Sequence, residues 1–371
     1  MQKIVVVGAG ILGASTAYTL TKLGAKVIIV DRKDDGQATD AAAGIVCPWI
    51  SQRRNKAWYR LAKAGARFYP SLINDLKNDG ESETGYVQIG ALSIQKDPEK
   101  LNKIVDRAQL RRQDAPEMGT ITQFSQEETK ALFPPLDEAF AAVSISGGAR
   151  VDGRKLRDSL LRAAQKNGAK LLNEGAELLW KETEVLGVKA GGTTITADSV
   201  IICAGAWARQ LLKPLGVDFN VKFQKAQIVH LDLANLDTDH WPVIMPPGTI
   251  YLLAFEDNRV VAGSTHEDLE EYDTAITAGG LQEIFTKALD VAPGLSKASF
   301  LEARVGFRPY TPGFLPVIGA VPGYKRIFTA NGLGASGLTV GPYLGSQLAR
   351  LALGLETEID LEAYSVGRAI N

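Results

Sequence analysis

The chain has 371 residues, of which 45% are hydrophobic and 22% are charged, a composition typical of folded globular proteins and not of disordered chains. This length exceeds what one typical core requires, so we expect two domains. Its 41 basic and 42 acidic residues leave a formal net charge of -1, which gives no overall attraction to nucleic acid or anionic lipid and favours a small-molecule partner.

The apolar stretches of the sequence are of strand length. The longest, such as 27–30 and 200–207, fall far short of the roughly 20 residues that cross a bilayer, so no membrane span is predicted. An apolar strand begins close to Met1, so we expect no signal peptide and a cytoplasmic location. The two cysteines, Cys47 and Cys203, indicate a reducing compartment and no disulfide framework. The three histidines lack metal-ligand spacing, and no metal site is predicted.

The first elements of the chain follow the pattern of a dinucleotide-binding unit. The β-branched run Ile4–Val7 predicts a strand buried on both faces, and it leads directly into a G-x-G-x-x-G motif at residues 8–13. A helix is predicted over Ala14–Leu23 and a second strand over Lys26–Val30. This strand ends at Asp31, where an acid can accept hydrogen bonds from a ribose hydroxyl.

Each part of this unit has a physical role in binding a dinucleotide. Gly8 permits a tight turn, Gly10 lets pyrophosphate approach the backbone, and Gly13 lets helix and strand pack closely, while the exposed N–H groups bind the anion. The alternative is a glycine-rich turn of another kind of α/β protein, but the strand, helix, second strand and acidic residue all occur at the spacing that a dinucleotide-binding unit requires. The unit does not distinguish FAD from NAD. Its predicted cofactor-binding residues are Gly8, Gly10, Ile11, Leu12, Gly13, Asp31 and Arg32.

Segments beyond this unit favour a flavin. Thr39-Asp40-Ala41-Ala42-Ala43-Gly44-Ile45-Val46 resembles the small-residue segment of the D-amino-acid oxidase and glycine oxidase family, which includes the sarcosine oxidases. Further similarities follow in order at residues 151–153 (Val-Asp-Gly), 201–207 (Ile-Ile-Cys-Ala-Gly-Ala-Trp), 306–309 (Gly-Phe-Arg-Pro) and 331–339 (Asn-Gly-Leu-Gly-Ala-Ser-Gly-Leu-Thr). Singly, each segment is an ordinary turn, but together they span nearly the whole chain. The resemblance implies an FAD-dependent oxidoreductase.

The resemblance also implies which residues contact the flavin. They are Thr39, Ala42, Ala43, Gly44, Ile45, Ala176, Ala204, Gly205, Trp207, Arg308, Gly332, Gly334, Ala335, Ser336, Gly337, Leu338 and Thr339. No second G-x-G-x-x-G motif follows a later strand, so we expect electrons to come from the substrate and not from a bound nicotinamide. Neither cysteine matches the residue that attaches flavin covalently in sarcosine oxidases. We therefore expect noncovalent FAD.

The fold class predicted is α/β (α+β overall), a Rossmann-like FAD-binding domain with an interleaved antiparallel-sheet substrate domain. The FAD-binding domain is predicted to comprise residues 1–85, 146–216 and 303–371. The substrate-binding domain is predicted to comprise residues 86–145 and 217–302. Segments such as Gln227–Leu233 and Ile250–Phe255 alternate in the manner of antiparallel strands. Glu99–Gln113 has helical spacing and many charges, which indicates a solvated helix.

Three residues are predicted to act on the substrate. Arg308 matches the carboxylate-binding arginine of the glycine and sarcosine oxidases, and a guanidinium binds carboxylate bidentately. A structural ion pair is the alternative, with Arg304 as the second choice for the carboxylate. Tyr251 is similar in position to an active-site tyrosine, although a core aromatic is equally consistent. Lys225 is a candidate cation near the flavin, with packing or a salt bridge as the alternative.

The sequence departs from the family at the C-terminal motif. Leu333 replaces the histidine of a common Gly-His pair, and Ala335 stands where glycine oxidases can carry a second arginine. These changes predict different substrate contacts. His230 and His266 are candidates to line the pocket, although a lone histidine on a strand is more often simply hydrogen-bonded.

The function predicted is oxidation of the CH–NH bond of a small amine or amino acid, with oxygen as the electron acceptor. The first alternative is an amino-acid dehydrogenase that uses a quinone or protein acceptor. The second is a flavin oxidoreductase for 2-hydroxy acids or glycerol phosphate, which requires a histidine near the flavin. A noncatalytic flavin-binding protein and a homo-oligomer are further possibilities.

Overall fold

The structure is a computed structural model that describes residues 1–234 and 236–371. The first helix in this part of the chain belongs to the predicted N-terminal unit, and the others follow it. They are α1 (Ile11–Lys22), α2 (Lys56–Asn78), α3 (Pro98–Arg112), α4 (Gln126–Leu132), α5 (Gly153–Lys166), α6 (Ala208–Leu212), α7 (Ala278–Val291) and α8 (Gly337–Ala352). None of these helices is long and apolar enough to cross a membrane.

The strands form four sheets. In chain order they are β1 (Lys3–Val7), β2 (Lys26–Val30), β3 (Ile45–Val46), β4 (Tyr86–Gln88), β5 (Ala91–Gln95), β6 (Ile121–Phe124), β7 (Ala141–Ile145), β8 (Ala149–Val151), β9 (Lys170–Leu172), β10 (Ala176–Lys181), β11 (Glu184–Ala190), β12 (Thr193–Thr196), β13 (Ser199–Ile202), β14 (Lys222–Asp232), β15 (Val243–Met245), β16 (Tyr251–Ala254), β17 (Arg259–Gly263), β18 (Glu267–Asp268), β19 (Ser299–Tyr310), β20 (Val317–Ala320) and β21 (Ile327–Asn331).

A six-stranded sheet with the order β20-β21-β13-β1-β2-β9 forms the Rossmann-like part of the molecule. β1 pairs in parallel with β2 on one side and with β13 on the other. Its residues Ile4, Val5 and Val6 have no solvent exposure, as the unbroken apolar run predicts for a strand covered on both faces. α1 and α8 pack against each other beside this sheet. Twelve residues of α8 are buried and are either apolar or small. The predicted α/β class is confirmed.

Two glycines of the motif are required by close backbone contacts. Gly8 has a φ of +104°, and a Cβ there would lie 2.4 Å from the carbonyl oxygen of Cys203. A Cβ at Gly13 would lie 1.8 Å from the carbonyl oxygen of Gly8. Only glycine therefore lets the turn, α1 and β13 approach one another this closely.

The second large sheet is nine-stranded and mostly antiparallel, with the order β18-β14-β17-β16-β15-β5-β7-β6 and with β19 pairing to β14. β14 and β19 are its longest pair, running from Lys222 opposite Tyr310 to Asp232 opposite Ser299. The alternating segments of the sequence correspond to β14 and β16, and the charged helix corresponds to α3. β19 crosses the predicted domain boundary at residue 303, and the boundaries themselves stay a prediction.

Candidate functional site

A large cavity of about 850 Å³ lies between the Rossmann-like sheet and the nine-stranded sheet. It runs from the carboxyl ends of β1 and β2 to a face formed by β16, β19 and Ser264, the residue that follows β17. The carboxyl edge of a parallel sheet is where such folds bind ligands, because the helix N-termini open there.

The first end is formed by the glycine-rich turn and the start of α1. Gly10 precedes the helix without a side chain to cap it, and the first turn contains no acidic residue. The N–H of Ile11 donates to Thr39 Oγ1 at 3.0 Å, which ties the small-residue segment to the helix start. The helix N-terminus carries partial positive charge and is therefore suited to a pyrophosphate.

Asp31 is buried at this end and orders the turn around it. Its Oδ2 accepts a hydrogen bond from the N–H of Ala9 at 2.6 Å, and its Oδ1 accepts from Lys33 N–H at 2.6 Å and Gln37 Nε2 at 2.9 Å. A carboxylate has about four lone-pair sites, so one remains for a ribose hydroxyl. Arg32 also lines the cavity and is paired with Asp34 at 2.8 Å.

The middle of the cavity is formed by the segment of small residues after β2. Gly44 has a φ of +95°, and a Cβ there would lie 1.8 Å from the carbonyl oxygen of Val151. Thr339 Oγ1 donates to the carbonyl oxygen of Ile45 at 2.8 Å, which joins the segment to α8. These contacts hold Ala42 and Ala43 against the cavity, where their short side chains leave room for a planar ring system.

The start of α8 faces the same part of the cavity. Gly334 has a φ of +53°, and neither it nor Gly337 has an atom within 4 Å of a constructed Cβ, so both border open space. The first turn of α8 has no acidic residue, and the side chain of its N-cap residue Ser336 accepts no hydrogen bond from the backbone of that turn. This N-terminus can stabilise negative charge on a cofactor lying beside it.

Arg308 lies on β19 at the second end of the cavity. Its Nη2 donates to Ser264 Oγ at 2.5 Å, while its buried Nη1 has no hydrogen-bond partner among the described residues. A buried charged donor without a partner is costly, since it has lost water and gained nothing in exchange. The vacant donor therefore marks a place where a carboxylate oxygen fits.

Tyr251 and His266 also line this end. Tyr251 begins β16, and its hydroxyl lies close to Gly263, where a Cβ would be 2.9 Å away. The pKa of His266 is lowered by burial and by the nearby Arg308 charge, so the imidazole is neutral at pH 7. Arg308, Tyr251 and His266 give the substrate end one cation, one hydroxyl and one neutral ring.

The structure places three predicted residues away from the cavity. Lys225 is fully buried, and its Nζ donates to Asp273 Oδ2 at 2.7 Å, so it forms the salt bridge that was the alternative interpretation. Gly13 packs against Gly8 behind the turn. Gly332, with a φ of +78°, packs against Thr311, whose Oγ1 would be 2.0 Å from a Cβ. These three residues support the site from outside and do not line it.

All other predicted cofactor-binding residues line the cavity, including Arg32, Ala176, Ala204, Gly205 and Trp207. His266, a candidate from the sequence, also lines it, whereas Trp58, Glu174 and Met245 are among the lining residues that the sequence analysis does not identify. Trp58 belongs to α2, and its Nε1 donates a hydrogen bond to Ser336 Oγ at 3.0 Å, which joins it to the motif at the start of α8. No local sequence signal indicates such a contact between distant residues.

The cavity fits FAD in shape and chemistry. One end offers a carboxylate and a helix N-terminus for ribose and pyrophosphate, and the middle offers glycines at which any side chain would clash or fill the space. The fold and this cavity define a flavin-dependent oxidoreductase.

Comparison with known proteins gives the family. The model of the DAO family, described as FAD dependent oxidoreductase, matches residues 3–351, and the chain belongs to that family. An uncharacterized oxidoreductase of Bacillus subtilis, YurR, is 57% identical over 371 residues and 100% of both chains. A glycine oxidase of Pseudomonas aeruginosa is 30% identical, with 98% of both chains covered. The crystal structure of iminodiacetate oxidase from a Chelativorans species has a TM-score of 0.95 and 45% identity over 98% of both chains. The prediction of an FAD-dependent enzyme is confirmed.

Proposed function

We propose that this protein oxidises the CH–NH bond of a small amino acid to an imine and that oxygen then reoxidises the flavin, with release of hydrogen peroxide. The observation that carries the proposal is the vacant Nη1 of Arg308 at the end of the cavity. The similarity to enzymes named glycine oxidase and iminodiacetate oxidase supports a carboxylate-bearing amine as substrate.

The side chains at this end would orient the substrate. Arg308 would bind the carboxylate through its free Nη1 and the remaining N–H of Nη2, and Tyr251 would fix the substrate from β16. The amine must be neutral to be oxidised, and no acidic side chain at this end, within the described residues, would stabilise an ammonium ion. FAD, when bound in the cavity, would supply the acceptor for the hydride of the Cα–H bond. Water then hydrolyses the imine to an oxo acid and an amine.

The FAD is proposed to be noncovalent. Burial raises the pKa of both the Cys47 and the Cys203 thiol to about 12, so neither forms the thiolate that attachment to the ring requires. Acid precipitation of the protein should release all yellow colour into the supernatant. Colour that stays with the pellet would contradict noncovalent binding.

The function is tested by anaerobic mixing of the yellow protein with glycine, sarcosine, proline, iminodiacetate and both enantiomers of common amino acids. Bleaching of the visible flavin band by an amine establishes the reaction. Admission of air then distinguishes the acceptors: recovery of the band within seconds supports oxygen, and reduced flavin that persists for minutes supports a dehydrogenase.

A hydroxy-acid oxidoreductase is the second candidate, because His266 lines the cavity with a neutral ring that could accept a hydroxyl proton. His230 does not serve this role, since it lies in a separate small cavity with Arg259 and Arg304. Bleaching by 2-hydroxyglutarate or glycerol phosphate, with no bleaching by any amine, would favour this candidate.

A further inference from the structure

Ser264 lines the substrate end of the cavity together with Arg308. Its Oγ accepts the hydrogen bond from Arg308 Nη2 at 2.5 Å. β17 and β19 pair with opposite edges of β14, so the Arg308 side chain crosses β14 to reach Ser264. Ala226 of β14 also lines the cavity, and its short side chain leaves room for this crossing. Ser264 and Arg308 therefore present their polar atoms to the cavity side by side.

The hydroxyl of Ser264 has a proton to donate. A serine hydroxyl has one donor and two acceptor positions. Arg308 fills one acceptor position of Ser264, and the hydroxyl donates to no residue in the described part of the chain. Ser264 is 2% exposed, and a buried donor is costly unless it finds an acceptor. Because the adjacent Arg308 Nη1 also lacks an acceptor, an anionic group with two oxygens satisfies both donors.

The backbone that carries Ser264 is fixed by hydrogen bonds to β14. Gln227 N–H donates to Thr265 Oγ1 at 2.9 Å, and Thr265 N–H donates to the carbonyl oxygen of Gln227 at 3.2 Å. Glu267 Oε1 accepts from Thr265 Oγ1 at 2.7 Å and from Gln227 Nε2 at 2.8 Å. A hydroxyl held in place before the ligand arrives loses less entropy on binding.

Tyr251 lies beside the same segment. It pairs with Gly263 between β16 and β17, and a Cβ at Gly263 would lie 2.9 Å from the Tyr251 hydroxyl. The glycine before Ser264 therefore lets the tyrosine hydroxyl come close to this segment. The acidic residues that line the cavity, namely Asp31, Asp34, Glu174 and Glu177, belong to the end that receives ribose. Within the described residues, the substrate end thus combines donors from Arg308, Ser264 and Tyr251 with no carboxylate.

We propose that the Ser264 hydroxyl binds the substrate carboxylate directly. It accepts from Arg308 Nη2 and donates its own proton to one carboxylate oxygen, while Arg308 Nη1 donates to the other. Ser264 also holds the guanidinium in the orientation that faces the substrate. This inference rests on the proposed function for the carboxylate of the substrate, but it concerns binding and not the oxidation step.

The test measures the binding of propionate, a carboxylate without an amine to oxidise, by equilibrium dialysis of the radiolabelled compound against the FAD holoenzyme. Ser264→Ala removes the hydroxyl, and Ser264→Cys keeps a side chain of similar shape with only a weak donor. Ser346→Ala is the matched control, because Ser346 is also buried but donates to the carbonyl oxygen of Tyr343 within α8 at 2.7 Å. The visible flavin spectrum shows whether each variant retains FAD.

A second measurement separates direct contact from support at a distance. Infrared difference spectra of propionate with an isotope-labelled carboxylate report the hydrogen bonds that the bound ligand accepts. A hydroxyl that donates to the carboxylate lowers its antisymmetric stretching frequency. At saturating propionate, this frequency should therefore rise in both Ser264 variants and stay at the wild-type value in Ser346→Ala.

We expect Ser264→Ala and Ser264→Cys to weaken propionate binding by about 10- to 100-fold, the effect of losing a hydrogen bond to a charged group. Ser346→Ala should keep the dissociation constant within about 2-fold, since it shares no partner with the site. Unchanged dissociation constants in the Ser264 variants would overturn the proposal, as would weakened binding with an unchanged stretching frequency or a wild type that binds no propionate. Anaerobic addition of amines tests the proposed function separately, because flavin that no amine reduces would refute amine oxidation and leave the propionate result intact.

Discussion

Arg304 and Arg308 show how far one strand can separate two similar side chains. Both point from the same face of β19, as the alternation of strand residues predicts, yet they are about 13 Å apart along it because each residue adds about 3.3 Å. Arg308 reaches the large cavity, whereas Arg304 pairs with Glu302 and lines the small cavity. Position along the strand, and not the face alone, therefore selects Arg308 for the carboxylate.

Replacement of Arg308 tests this selection. Arg308→Ala should raise the apparent Michaelis constant for the amino acid by about 100-fold or more, because a bidentate charged contact is lost. The FAD should stay bound, as judged by the visible spectrum. Arg304→Lys, which keeps its charge opposite Glu302, is the control and should change the constant by less than about 3-fold. A normal constant for Arg308→Ala would remove this residue from the site.

His230 gives a prediction for stability against pH. Burial, together with the charges of Arg304 and Arg259, lowers its pKa to about 3. Its Nδ1 accepts from Arg259 Nη1 at 3.2 Å, which leaves a proton on Nε2 in the neutral ring. The unfolded chain binds this proton below about pH 6.5 and the folded chain does not. Stability from the neutral ring is therefore full above pH 6.5 and falls as the pH drops toward 3.

The contribution of His230 can be isolated with His230→Asn, whose amide oxygen can still accept from Arg259. Between pH 7 and pH 5 the wild type should lose about 2 kcal/mol more unfolding free energy than the variant. Urea titrations at the two pH values measure this difference. Parallel losses in both proteins would mean that the folded protein protonates His230 without difficulty.

At the scale of elements, the sequence predicts the helices and strands that arise from one continuous stretch of residues. β1, α1, β2 and the charged helix α3 each arise from a continuous pattern of apolar spacing and turn residues. The strands and α3 agree with the predicted bounds to within one residue, whereas α1 begins at Ile11 and not at the predicted Ala14. Contacts that depend on register or on distant elements were not predictable. The neighbours of Lys225 resemble a family segment and predict a cation near the flavin, but its Nζ pairs with Asp273 instead. Trp58 reaches the cavity through a contact between α2 and α8, which no local pattern predicts.

The close packing of α1 against α8 depends on Gly345, which belongs to no sequence motif. A Cβ at Gly345 would lie 2.8 Å from Ser15 Cβ and 2.9 Å from the carbonyl oxygen of Leu12. Gly345→Ala should therefore lower the unfolding free energy by about 2 kcal/mol through overpacking, measured by urea titration. Gly279→Ala in α7 is the control: it has open space around its Cβ and should gain about 0.5–1 kcal/mol. Equal effects of the two variants would contradict close packing at Gly345.

For the molecule as a whole, the cavity is the place where the two large sheets contribute residues to one site. Its lining comes from β1 and β2 at one end and from β16, β19 and Ser264, which follows β17, at the other, so residues from 7 to 339 contribute to one site. A cofactor that filled this cavity would contact both large sheets. Its binding energy should therefore add to the stability of the whole chain and not of one part.

Titration of FAD into the apoprotein tests this coupling. At a free concentration 100 times the dissociation constant, FAD should raise the unfolding free energy by about 2.7 kcal/mol in one cooperative thermal transition. FMN, which lacks the adenosine half, leaves the end around Asp31 and Arg32 empty and should stabilise less at the same concentration. A transition that splits into an FAD-sensitive and an FAD-insensitive part would show that the two sheets unfold independently and would contradict this coupling. Equal stabilisation by FMN and FAD would show that the end formed by the glycine-rich turn contributes no binding energy.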